Sequence, residues 1–163
     1  MSLYERAQYR NTVRLFYLHH GIMRLVKITE LHRPPRSKIG RIIHNDVRLE
    51  NHEYRTVLLL AEFGFDVELI RPSSIPHSQN PDILMLGTTW EMKGPESDNQ
   101  DTIKKRFRKA KKQADGRAIF DLNNIPKKNR IKAEKYILEL FEATRGMKRI
   151  MLIKDGAIID IIR

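Results

Sequence analysis

Three charged side chains stand in a stretch otherwise suited to a protein core. NPDILMLGTTWEMKGP, residues 80–95, carries Asp82, Glu91 and Lys93. Glu91 and Lys93 are two residues apart, so on a strand they point to one face while Trp90 and Met92 point to the other. Asp82 opens the preceding apolar run, and pairing of the two runs as a hairpin or meander brings it near Glu91. Two close carboxylates repel, and one pKa rises unless a cation neutralises them. A hard divalent cation, Mg2+ or Mn2+, does so through carboxylate, carbonyl and water oxygens. The Met92 backbone carbonyl, between the two side chains, is a further candidate ligand. Lys93 then sits beside the metal. There it can orient or help deprotonate a water, or stabilise charge at a phosphorus centre. The competing reading is an exposed Glu91–Lys93 ion pair worth at most about 1 kcal/mol.

The elements that must hold these groups follow from periodicity and punctuation. Residues 46–63 predict a helix, capped by Asp46 and stopped by Gly64. Its apolar stripe runs through Val57, Leu60 and Ala61, and Glu53 lies one turn earlier on the same stripe. A carboxylate so placed is either paired or metal-linked, or it lies at the solvent edge of the stripe. FDVELI reads as a strand. DILMLG and TWEMKG read as two more, joined through Gly87-Thr88-Thr89. Residues 101–114 predict a second helix on the stripe Ile103, Phe107, Ala110 and Ala114. RAIFDL is a strand and residues 130–145 a third helix. RIMLIKDGAIIDII is a hairpin around Asp155-Gly156. At the N-terminus, residues 2–20 predict a helix, GIMRLVKI its continuation or a short strand, and Pro34-Pro35 a loop. The chain therefore divides into a basic N-terminal extension of helix and loop, residues 1–45, and a mixed α/β sheet flanked by helices, residues 46–163.

Charge adds a partner. Of 163 residues, 31 are Lys or Arg and 20 Asp or Glu, a net charge of +11. The balance is +7 over residues 1–45, −6 over 46–100 and +10 over 101–149. An acidic middle between basic flanks suits carboxylates that hold a cation beside walls that hold phosphates. The second helix carries Lys105, Arg108, Lys109 and Lys112 around its apolar stripe, and we read these as phosphate contacts; a solvated face is the alternative. There is no cysteine, so a metal must be held by oxygen or imidazole. The six histidines show no ligand spacing. No apolar run approaches the roughly 20 residues of a membrane span, and the first residues, broken by Arg, are not a secretory signal.

Pro81-Asp82 followed by Glu91-Met92-Lys93, with Glu53 on the preceding helix, resembles the PD-(D/E)xK nuclease superfamily. Its core order of helix, three-strand meander, helix and strand is the order read above. Over about residues 50–125 the chain is similar to the CdiA C-terminal tRNase domain of contact-dependent growth inhibition toxins. The resemblance implies an endonuclease in which Asp82 and Glu91 bind the metal, Glu53 completes the site and Lys93 is the catalytic lysine. Gln113, in KKQADG, matches a polar position of these toxins and is expected to face the site. The implied substrate is RNA, tRNA in particular. DNA cleavage, a non-catalytic nucleic-acid-binding module and an accessory protein docking a partner remain the alternatives. Action in the cytoplasm and an inhibitor or immunity protein are implied as well, and a homodimer is left open.

Overall fold

Alternating apolar and polar positions, interrupted by three helical stripes, build a sheet covered on both faces. A computed structural model describes residues 12–19, 22–31, 33, 38–76 and 78–163, with residues 12–25 given by their backbone. The described residues form β1 (Thr12–His19), β2 (Ile22–Leu31), β3 (Ile42–Ile43), α1 (Asn51–Glu62), β4 (Val67–Leu69), β5 (Ile83–Met85) and β6 (Thr88–Lys93). Then follow α2 (Gln100–Gln113), β7 (Arg117–Asp121), a 3-10 turn (Leu122–Asn124), α3 (Lys127–Ala143), β8 (Arg149–Lys154) and β9 (Ala157–Ile162). The nine strands make one mixed sheet in the order β1-β2-β9-β8-β7-β6-β5-β4-β3. β6, β7 and β8 run parallel, so Lys93, Asp121 and Lys154 end at the same edge. The mixed α/β sheet flanked by helices is thus the observed fold class.

The central strands β7 and β8 send alternate residues to two cores. Ala118, Phe120, Ile150 and Leu152 pack with Ile103, Phe107 and Ala110 of α2 and with Ile137 and Phe141 of α3. Trp90, Met92, Ile119, Met151 and Ile153 pack on the other face with Val57 and Leu60 of α1. The apolar positions expected for α1 and α2 are therefore the ones that are buried.

Three expectations are corrected. Residues 12–19, expected to be helical, are a strand paired antiparallel with β2; residues 1–11 lie outside the described residues. Thr12, Val13, Phe16 and Tyr17 favour a ladder once a partner strand is available, and β2 supplies it. β2 in turn pairs with β9, so this part of the chain shares the sheet of the rest. The residues around Pro34-Pro35 lie largely outside the described ones. Second, α1 starts at Asn51, not at Asp46. Asn45 and Asp46 have φ of 48° and 57°, and Asp46 pairs with Arg71 at 2.5 Å. Glu50 is the cap, and the Glu53 carboxylate accepts its backbone N–H at 3.0 Å. Two acids three residues apart thus close a capping box. Gly64, with φ of 91°, ends the helix as expected.

Third, the β5–β6 turn is tighter than expected: only Leu86 and Gly87 lie between the strands, at φ of 55° and 70°. A two-residue turn with both φ positive suits Asn-Gly, and a leucine there is strained. Leu86 is exposed. Leu86→Asn is expected to stabilise the chain by about 1 kcal/mol, read as a rise in melting temperature. An unchanged or lower value would show that Leu86 packs on something that offsets its strain.

Candidate active site

The site is built where β5 starts and β6 ends. Asp82 is fixed by its backbone: its N–H donates to the Trp90 carbonyl at 3.0 Å, and its carbonyl accepts the Ile70 N–H at 3.0 Å. Its side chain continues the pairing, because Oδ2 accepts the Met92 N–H at 2.6 Å. The Asp82 carboxyl therefore reaches β6 between Glu91 and Lys93. Glu91 is 2% exposed. Lys93 Nζ donates to Glu91 Oε1 from a side chain that is 13% exposed. Gln113, at the end of α2, comes down on the same carboxylate. With its amide NH2 turned inward it donates to Glu91 Oε2 at 3.2 Å and also to Oε1.

Burial pushes the Glu91 carboxyl up to about 7; Lys93 opposes this and the charge of Asp82 adds to it. Burial also raises Asp82, with the Met92 N–H and Lys93 opposing and the charge of Glu53 reinforcing. One ammonium therefore does not balance the two carboxylates.

Asp82, Glu91, Lys93 and Gln113 are thus gathered as expected. Glu53 comes close enough for its charge to act on Asp82, but its carboxylate is held at the Glu50 N–H. It belongs to a helix on the opposite face of the sheet from α2. Among the described residues no group of three or more His, Asp or Glu is arranged to hold a metal. Two hard carboxylates are nevertheless a donor set that Mg2+ takes, since it fills its remaining positions with water and phosphate oxygens.

On α2, Arg106 donates to the Gly94 carbonyl at 3.2 Å, and Gln113, seven residues on, lies in line with it. Lys109 is three residues from one and four from the other, so it borders this line. Lys105 and Lys112 stand one row further out, and both are exposed. Arg108 follows one row beyond, next to Lys105 and Lys112. The phosphate-binding candidates on α2, in order outward from this line, are therefore Lys109, Lys105, Lys112 and Arg108, all exposed.

Sequence reading missed His52, Arg55 and Asn124. A Cβ on Gly94, the residue after Lys93, would lie 2.9 Å from both Asn124 Nδ2 and His52 Cδ2. Asn123-Asn124-Ile125-Pro126 signals a turn, but nothing local indicates that it closes on α1.

Fold and cluster together define an α/β domain with a buried Asp–Glu–Lys site at the edge where its parallel strands end. Residues 79–158, which carry Asp82, Glu91, Lys93, Gln113 and Asn124, match the family model of the contact-dependent growth inhibition CdiA C-terminal domain. The structure is similar to that titled CdiA-CT/CdiI toxin and immunity complex from Burkholderia pseudomallei. The TM-score is 0.57 at 18% identity, over 76% of this chain and 100% of that one. At that identity the likeness is one of fold. No curated protein sequence is significantly similar to this chain. Among the described residues no helix is long and apolar enough to cross a membrane.

Proposed function

We propose that this chain is a toxin nuclease of the CdiA C-terminal type, a metal-dependent PD-(D/E)xK endonuclease that hydrolyses phosphodiester bonds in RNA, with tRNA the favoured substrate. The observation that carries the proposal is the buried cluster in which Glu91, raised to about 7, touches Lys93 and Gln113 beside the raised Asp82. Carboxylates unbalanced in this way favour a divalent cation. Asp82 and Glu91 would hold Mg2+ or Mn2+. The Met92 carbonyl would assist, because a strand residue's N–H and carbonyl face the same neighbour and the Met92 N–H faces Asp82. Bound there, the cation would supply Lewis-acid polarisation of the phosphoryl oxygens.

The chain's own groups have distinct tasks. The Met92 N–H fixes Asp82, and Gln113 orients Glu91. Lys93 holds a positive charge where the phosphorane builds up negative charge. Lys105, Arg108, Lys109 and Lys112 hold flanking phosphates. Glu53, engaged in its cap, acts on the site through its charge. A partner of the immunity-protein class and action in the cytoplasm, where tRNA resides, belong to the same proposal.

The capped Glu53 and the lack of a three-acid group among the described residues favour one other reading, a nucleic-acid-binding module with a degenerate site. Incubation of the purified chain with tRNA, single-stranded DNA and duplex DNA separates the two. With Mg2+ or Mn2+ the tRNA should be cut, and EDTA should stop the reaction. Cutting of DNA alone would change the substrate. Binding without cutting in every arm would overturn the enzyme in favour of the module.

A further inference from the structure

β6 ends at Lys93. Glu91 and Lys93 project on the α2 side of the sheet and Met92 on the α1 side, so Gly94, next in the alternation, faces α1. That side is closed by polar groups. His52 Cδ2 and Asn124 Nδ2 each stand 2.9 Å from where a Gly94 Cβ would be, and His52 Nε2 stands at 3.6 Å. His52 Nδ1 is 3.3 Å from Glu50 Oε2, which leaves Nε2 turned away from that carboxylate. Asn124 Oδ1 accepts from Arg55 Nη2 at 3.3 Å, which leaves the Asn124 NH2 free to donate elsewhere. Arg55 is exposed and forms no ion pair among the described residues. Below it, Thr56 Oγ1 donates to the buried Asp121 Oδ2 at 2.9 Å, tying this turn of α1 to the end of β7.

We propose that Arg55, Asn124 and His52 form a second substrate subsite, which takes the backbone phosphate next to the one held at Lys93. A guanidinium positioned by an amide, with no carboxylate partner among the described residues, is the donor arrangement that phosphate oxygens satisfy. Asn124 Nδ2 adds a neutral donor, and the His52 ring, with Nε2 turned towards the end of β6, adds a polar wall beside it. Because this subsite and Lys93 lie on opposite sides of the same strand end, a strand crossing the sheet edge from α2 to α1 meets Lys93 first and Arg55 next. The subsite rests on the nuclease reading and extends it to the α1 side, which the basic helix does not reach.

The test is binding of the full chain to bulk tRNA in EDTA, so that nothing is cut, followed across a salt series. Arg55→Ala should weaken binding about tenfold, the size of one charged hydrogen bond. It should also make the slope of log K against log salt shallower by about one. Arg55→Lys should keep the slope. Asn124→Ala should weaken binding without changing the slope. Lys148→Ala, which removes a charge at the other end of the sheet, should alter neither. If Lys109→Ala weakens binding while Arg55→Ala matches wild type in affinity and slope, the subsite is wrong and the nuclease reading stands. If wild type shows no salt-dependent affinity for tRNA, the tRNA-cutting reading on which the subsite rests fails, and the subsite with it.

Discussion

Lys93→Ala is expected to reduce metal-dependent cleavage about a hundred- to a thousandfold, the scale of losing a preorganised donor at a developing oxyanion. It should leave the fold and most of the nucleic-acid affinity in place. Lys93 is the cation whose charge acts on both Asp82 and Glu91. Removing one partner of a buried pair usually destabilises strongly, because a charge is left stranded. Here the stranded group has a simple escape. Glu91 is already raised to about 7, and without Lys93 it takes up a proton and becomes a neutral hydrogen-bonding partner for Gln113 and Asp82. Circular dichroism should therefore match wild type while cleavage is lost. The phosphate contacts of α2, which do not depend on Lys93, should keep tRNA bound. A purified Lys93→Ala protein that cuts as fast as wild type would remove the site assignment altogether.

What could be read from the sequence depended on how local each signal was. Glu91 and Lys93 share a face because strand alternation needs only their spacing, and the structure keeps them together. Ile103, Phe107 and Ala110 declared the buried side of α2 in the same way. Asp155-Gly156 declared a hairpin that is present, with φ of 51° and 78°. Glu53 shows the limit of such reasoning. Its place on the apolar stripe was legible, but whether it serves the core, the cap or the site depends on where the helix starts. The start is set by the turn at Asn45-Asp46 and by the pairing of Asp46 with Arg71, from another loop. Residues 12–31 carry apolar positions compatible with either period, and only the partner β9, at the other end of the chain, decides for strand. The contact of Arg55 with Asn124 spans 69 residues, so no local pattern could announce it.

Magnesium is expected to stabilise the wild-type chain in mildly alkaline solution and to do nothing for it in acid. In the folded chain Glu91 keeps its proton up to about pH 7, whereas in the unfolded chain it ionises around its usual 4.5. Below the lower value both states are protonated and the group costs nothing. Between the two values the unfolded chain gives up a proton that the folded chain retains, so stability falls as pH rises. Above the upper value the penalty is constant. Each tenfold change in proton affinity corresponds to about 1.4 kcal/mol, so the penalty is at most about 3 kcal/mol. The raised Asp82 acts in the same direction. Glu91→Gln removes the ionisation. It should therefore melt several degrees above wild type near about pH 8 and close to wild type near about pH 4. A cation held by Asp82 and Glu91 relieves the same penalty by mass action. Millimolar Mg2+ or Mn2+ should accordingly raise the wild-type melting temperature near about pH 8, where Glu91 is ionised, and leave it unmoved near about pH 4. Glu91→Gln and Asp82→Asn should lose the metal response at both. This readout needs no substrate and no turnover, so it separates the metal from the chemistry. A wild-type melting temperature indifferent to both metals in alkaline solution would mean that Lys93 and Gln113 alone hold the carboxylates. The site would then have to work without a divalent cation or not at all.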